Sequence, residues 1–215
     1  MAHAFLSTRA TDTRLVFVVD SGRKENKDYR AAVKRVGSLD VTLRMAVGGT
    51  MVRALNEIAL DLIDDNDAPE SIGFMGDDHF PRTKGWDSAY ISAIREMGGV
   101  GIVYGDDTVQ HEFVPTQCAM SSNIIRTLGW MSPPQLKHMY VDTIWRDIGN
   151  LAGCLRYLPD VIVEHVHPVT GAIPRDAAYD RVEAFMKPDE EAFWKLRENL
   201  PAWAKMINEI PRMWS

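Results

Sequence analysis

Cysteine is nearly absent: the 215 residues contain two, Cys118 and Cys154. Two thiols make neither a disulfide framework nor a zinc cluster, and both are expected to pack in the core. Basic residues are outnumbered. There are 24 Lys and Arg against 30 Asp and Glu, a formal charge of −6. That balance argues against broad duplex binding, which runs on phosphate neutralisation by Lys and Arg. No stretch approaches the ~20 apolar residues of a membrane span. Residues 1–10 carry no charged segment followed by an apolar core, so no signal peptide is read there. A cytoplasmic setting is the expectation. Several motifs are missing too. No Gly-x-Gly-x-x-Gly follows a strand, no phosphate loop ends in Gly-Lys-Ser/Thr, and there is no Gly-x-Ser-x-Gly elbow or His-Glu-x-x-His pair. These absences exclude the common signatures of dinucleotide sites, P-loop enzymes, serine hydrolases and zinc proteases.

What is present is a globular composition: 46% hydrophobic and 25% charged residues, with 15 Gly and 11 Pro. The length fits one domain, or one domain with an appendage. A chain of this size buries roughly 70% of the surface its unfolded form exposes, so it needs no disulfide or structural metal for stability.

Leu15-Val16-Phe17-Val18-Val19 is a continuous apolar run ending at Asp20. It reads as a strand buried on both faces, of the parallel kind. Asp28–Val36 reads as a helix and Asp40–Val47 as a second strand. Gly48-Gly49 opens a helix over Thr50–Ile63, with Met51, Ala54, Leu55, Ile58 and Leu62 on one face. Asp64–Glu70 is an acidic loop. Ser71–Met75 is a third strand, Trp86–Met97 a helix, Gly101–Tyr104 a fourth strand and Thr116–Met120 another. Ser121–Leu128 and Val141–Ala152 are helices. Arg156–Pro159 and Val161–His167 are strand-like. Arg175–Ser215 reads as helical, broken at Pro188 and Pro201. Its Trp194, Trp203 and Trp214 fit helices packed back on the domain or an oligomer contact. Alternating strands and helices predict an open α/β sheet flanked by helices.

Ligand sites in such sheets lie at the carboxyl ends of strands. Asp20, Asp77-Asp78-His79 and Asp106-Asp107 all fall just past predicted strands. Asp is also a common turn residue, but three such placements favour a site. Phe74-Met75-Gly76-Asp77-Asp78-His79-Phe80-Pro81 is the sharpest of them. Two carboxylates and an imidazole suit a divalent cation, Mg²⁺ or Mn²⁺, the latter accepting nitrogen. Further ligands must come from elsewhere. Val163-Glu164-His165-Val166-His167 offers two imidazoles on one strand face, if it is not simply a pair of surface histidines. Asp142, at the start of a predicted helix, is either a cap or a general base aimed into the cleft.

The order of these features resembles a nucleotide-sugar glycosyltransferase of the GT-A fold, close to the inverting family-2 type. The residues that carry the resemblance are Val18-Val19-Asp20, Gly48-Gly49 with Ala54-Leu55-Asn56, and Phe74 to His79. It continues through Asn123-Ile124-Ile125-Arg126-Thr127-Leu128-Gly129, Val141-Asp142, and Tyr157-Leu158-Pro159 leading to His165. The match spans Leu15 to His167. Gly76–Gly85 and Pro115–Trp145 also look like an actinobacterial and phage-associated group of such proteins. Two departures stand out. Gly76 occupies the first acid position of a strict Asp-x-Asp. Residues 1–13 look like the helix after a first strand and base-binding loop, and that strand and loop are missing, which leaves Leu15–Val19 or its neighbour as an exposed sheet edge.

The resemblance implies a GT-A-like domain over residues 1–175 and a helical extension over 176–215. It implies sugar transfer from a nucleoside diphosphate sugar, with inversion, to an acceptor such as a glycan, a lipid-linked sugar, a protein or a modified DNA base. Asp142 would be the catalytic base. Asp20 and Asp77 would bind the donor. Asp78, His79, His165 and His167 would hold Mn²⁺ or Mg²⁺. A homo-oligomer is compatible with it. The alternative is a GT-A-like protein that has lost donor binding and serves as a binding or assembly subunit. A nucleotidyltransferase ranks below both, for want of a Gly-rich, Lys-bearing start loop.

Overall fold

A computed structural model describes residues 1–21, 26–47, 49–64, 67–167 and 182–213, without the side chain of Asp20. The elements run α1 (Ala2–Thr8), β1 (Leu15–Asp20), α2 (Asn26–Val36), β2 (Val41–Ala46), α3 (Met51–Asp64), β3 (Ser71–Phe74), β4 (His79–Pro81) and α4 (Trp86–Glu96). They continue β5 (Ile102–Asp106), β6 (Cys118–Ser121), α5 (Ser122–Leu128), α6 (Val141–Leu151), β7 (Leu155–His165), α7 (Met186–Leu196) and α8 (Leu200–Asn208).

A mixed five-stranded sheet has the order β3-β6-β5-β7-β4. Only β5 and β7 are parallel in it; β6 runs antiparallel to β3 and β5, and β4 antiparallel to β7. Side chains alternate across its faces, as strand geometry demands. Ile102, Tyr104, Cys118 and Met120 enter one core with α3, α5 and α6. Val103, Ala119, Val161 and Val163 enter a second, under α1 and α4. The sheet is therefore covered by helices on both faces. Each fully buried Ile or Met in these layers contributes roughly 1.5–3 kcal/mol.

The apolar run Leu15–Val19 forms a strand, but not inside this sheet. Among the described residues β1 pairs only with β2, in parallel, from Leu15 opposite Val41 to Asp20 opposite Ala46. Leu15 and Val41 reach the second core, while Val18 is exposed. The expectation of a strand buried on both faces is thus corrected: Val18 turns one face of the run outward.

The two strand-like segments after Arg156 are one strand. Pro159 does not end β7, because a bulge absorbs it. Gly105 pairs with Leu158 and Asp106 with Ile162. Bulges are where a sheet tolerates proline. The bulge presses the Val161 carbonyl onto Gly105, where a Cβ would collide with that oxygen and stand 2.8 Å from the Tyr90 hydroxyl. Gly105→Ala is expected to destabilise the protein by about 1–3 kcal/mol, the usual cost of overpacking. Urea denaturation of the variant reads this directly, and an unchanged midpoint would remove the argument.

The C-terminal prolines start helices rather than break them: Pro188 lies in the first turn of α7 and Pro201 in that of α8, where a missing N–H costs nothing. Phe193, Leu196, Leu200, Ala204 and Ile207 join the same core as Met120 and Ile144. Trp203 meets Trp130 edge-on at 5.0 Å, Trp194 is exposed, and Trp214 lies outside the described residues. Buried Asp189 accepts the backbone N–H groups of Lys137, His138 and Met139 at 3.0, 2.8 and 2.7 Å. The extension thus fixes the loop that leads into α6. No described helix is long and apolar enough to cross a membrane.

Candidate metal centre

The carboxyl ends of β5 and β7 lie together because the two strands are parallel. The short edge strand β4 comes alongside with His79 directly opposite His165. Cross-strand partners bring side chains of one face into contact. The two imidazoles stack with centroids 4.1 Å apart and planes 18° apart. Asp78 spans them, its Oδ1 3.1 Å from His79 Nδ1 and its Oδ2 3.2 Å from His165 Nε2. Backbone bonds hold this arrangement: His79 N–H donates to the Gly76 carbonyl at 3.1 Å and Val166 N–H to the Asp78 carbonyl at 3.0 Å.

Space requires a glycine at position 76. A Cβ there would run into Asp78 Oδ1 and stand 2.9 Å from His79 Nδ1. The turn that aims Asp78 at two histidines has no room for a side chain at this position.

Behind the imidazoles sits Asp107, which is almost fully buried. Its Oδ1 accepts the N–H groups of Val109, Gln110 and His111 at 2.9, 2.6 and 3.0 Å. Its Oδ2 accepts the Thr116 hydroxyl at 2.7 Å and lies 3.7 Å from His165 Nδ1. The Thr116 hydroxyl is also 3.4 Å from His79 Nε2. The His165 N–H donates to the Asp107 carbonyl at 2.9 Å.

Charges at the centre are strongly coupled. Burial works against the Asp78 carboxylate, but hydrogen bonds from His165 and His79 outweigh it and hold the group well below the usual range. Burial also opposes a His165 cation, yet Asp107 and Asp78 overcome it and raise that imidazole to about 9. His79 goes the other way: burial lowers it, outweighing its bond to Asp78.

One oxygen and two nitrogens from Asp78, His79 and His165 all lie within 4.8 Å of one another. Two ligands on opposite sides of an ion at about 2.2 Å stand roughly 4.4 Å apart, so the cluster is of the right size to hold a divalent cation. Its donor set of two imidazoles and a carboxylate suits borderline transition ions.

The other expected residues are not among these three. His167 is not one of the three. The strand ends at His165, and His167 N–H turns back to the His165 carbonyl at 2.9 Å, which breaks the alternation that would have kept both rings on one face. The His167 ring instead meets His165 edge-on at 4.9 Å. Asp77 is exposed and accepts the Tyr29 hydroxyl at 3.2 Å. Asp20 ends β1, and Gly48 lies outside the described residues. Asp142 is in the first turn of α6 but is not its cap, since Tyr140 holds that position. Its Oδ1 accepts the Thr143 N–H at 2.7 Å, and burial raises its carboxyl above the ordinary range, with the Thr143 bonds opposing.

Asn56 is structural: its amide donates to the Ser132 carbonyl at 2.7 Å and accepts the N–H groups of Met131 and Ser132. Thr116 carried no signal in the sequence, whereas Asp107 belonged to the pattern of acids after strands. No protein-family model, curated protein or solved structure matches the chain.

A divalent ion entering this centre must displace the His165 proton. Affinity is therefore expected to rise about tenfold per pH unit between pH 7 and 9 and then level off. Calorimetry with Mn²⁺ in that range checks this, and a flat profile would contradict it. Without metal, the sign reverses for stability. A raised histidine stabilises the fold fully below the ordinary imidazole pKa of about 6.5 and loses that contribution as pH climbs through about 9.

Proposed function

We propose that this chain is a metal-dependent glycosyltransferase of the GT-A type, moving a sugar from a nucleoside diphosphate sugar to an acceptor with inversion. The observation that carries the reading is the Asp78–His79–His165 cluster beyond the carboxyl ends of β5 and β7, where open α/β sheets bind ligands. Asp78, His79 and His165 would hold Mn²⁺ or Mg²⁺, with two nitrogens favouring Mn²⁺. The ion, when bound, neutralises the diphosphate leaving group. Asp142 takes the proton of the acceptor hydroxyl as that oxygen attacks the anomeric carbon. A carboxyl raised by burial is a stronger base than an ordinary surface aspartate. One displacement by the activated hydroxyl inverts the anomeric centre. Asp20 and Asp77 would contact the donor.

A second reading, a GT-A-like protein that no longer binds donor, has one observation in its favour. Among the described residues β1, which ends at Asp20, pairs only with β2 and does not join the five-stranded sheet. Thermal shift separates the two. Under the first reading, a nucleotide sugar with Mn²⁺ stabilises the protein beyond Mn²⁺ alone, by about 2.7 kcal/mol at a hundredfold excess over Kd. Under the second, Mn²⁺ stabilises and no donor adds to it.

A further inference from the structure

Both imidazoles of the cluster turn an inner nitrogen to Asp78 and an outer nitrogen to the Asp107–Thr116 pair. His79 faces Asp78 through Nδ1 and Thr116 through Nε2. His165 faces Asp78 through Nε2 and Asp107 through Nδ1. We infer that Asp107 and Thr116 act as one shared outer partner, fixing both tautomers so that His79 Nδ1 and His165 Nε2 are the lone pairs presented beside Asp78. The inference rests on reading Asp78, His79 and His165 as a metal centre.

The argument follows the protons. The Asp107 carboxylate only accepts, and its Oδ1 is taken by three backbone N–H groups, which fixes the plane of the group. Thr116 has a single hydroxyl hydrogen, and it goes to Asp107 Oδ2 at 2.7 Å. Toward His79 the hydroxyl is then an acceptor, so the neutral ring carries its hydrogen on Nε2. That turns the Nδ1 lone pair toward an Asp78 oxygen 3.1 Å away, a contact that holds when a cation, or a proton moved to Nδ1 in the metal-free protein, lies between. Among the described residues His165 Nδ1 is buried with no hydrogen-bond partner, and it faces Asp107 Oδ2 at 3.7 Å. A buried N–H is stabilised by a carboxylate at that distance, and a lone pair is repelled by it. The neutral ring therefore keeps its hydrogen on Nδ1, and its Nε2 lone pair meets Asp78 Oδ2. Two lone pairs and a carboxylate converging on one point call for positive charge between them: protons on the facing nitrogens in the metal-free protein, or a divalent cation that replaces those protons. Outer carboxylates set ligand tautomers in this way in metal sites generally. Here one carboxylate and one hydroxyl serve two ligands.

Beneath them, Gln117 accepts the Tyr90 hydroxyl at 2.7 Å and donates to the Gly105 carbonyl at 3.1 Å. This buried network supports the segment that carries Thr116.

Zn²⁺ titration by calorimetry, with long-range ¹H–¹⁵N spectra of histidine-labelled protein, tests the inference. In Zn²⁺-loaded wild type, His79 is expected to carry its proton on Nε2 and His165 on Nδ1. Thr116→Val and Asp107→Asn should each weaken Zn²⁺ by about 10–100-fold, while Thr116→Ser binds as wild type. The Asn variant makes a sharper case: its amide donates to Thr116, frees the hydroxyl hydrogen for His79 Nε2, and should move the His79 proton to Nδ1. If wild type takes up no Zn²⁺, the metal reading falls and the inference falls with it. If wild type binds but the protons sit on the opposite nitrogens, or Thr116→Val binds equally well, the inference alone is overturned. Should Asp107→Asn fail to fold by circular dichroism, the wild-type tautomers and the two Thr116 variants decide.

Discussion

Asp78→Ala is expected to weaken Mn²⁺ binding by at least about 100-fold, beyond the roughly 10–100-fold cost of losing an outer partner. Asp78 is the only carboxylate in the triad and touches both imidazoles. Without it the two stacked rings present nitrogens with no charge to offset the ion's own. His165→Ala should act in the same direction, since it removes one donor and leaves Asp78 bonded to His79 alone within the triad. The two variants differ in the absence of metal. Asp78→Ala leaves Asp107 as the one carboxylate facing His165 among the described residues, so its raised pKa should fall back and stability near neutral pH should drop. Calorimetry gives the affinities and thermal melts with chelator give the stabilities. Unchanged Mn²⁺ affinity in both variants would remove the site assignment.

Asp142→Asn is expected to reduce sugar transfer by on the order of 10²–10⁴-fold, the usual worth of one acid–base group, with near-normal folding and donor binding. An amide at this position still offers an oxygen to the Thr143 N–H, so the first turn of α6 keeps its bond. It cannot take a proton. Because burial raises the Asp142 carboxyl, the acid limb of the wild-type rate profile should lie above the ordinary carboxylate range, and it should vanish in the variant. Wild-type turnover, or loss of the fold, would end the base assignment.

How much of this was legible in the sequence depends on the range of the interaction. Local signals were readable. The apolar spacing of Val141, Ile144, Trp145 and Ile148 makes α6 amphipathic, and the run Ile102–Tyr104 reads as a buried strand. The strand-end acids were visible, and they led to Asp78. Pairing was not. In the sequence His79 falls just past a strand, and nothing near it says that His79–Pro81 will form an edge strand against β7. His79 and His165 meet only through that pairing. Pro159 read as the end of a strand because proline normally cannot continue one; only the register jump opposite Gly105 and Asp106 shows how it fits. His167 was expected beside His165 from an alternation that presumes the strand continues. Thr116 acts through a hydroxyl placed by β5, β6 and their connection together, and no spacing reports that.

The measurement that tests the central claim most directly is the release of nucleoside diphosphate from a panel of nucleotide sugars, by wild type and Asp78→Ala, with Mn²⁺ and with chelator. The account predicts release from at least one donor by wild type with Mn²⁺, none with chelator, and none from Asp78→Ala. Wild type that binds Mn²⁺ yet turns over no donor, or equal release with chelator, would contradict it.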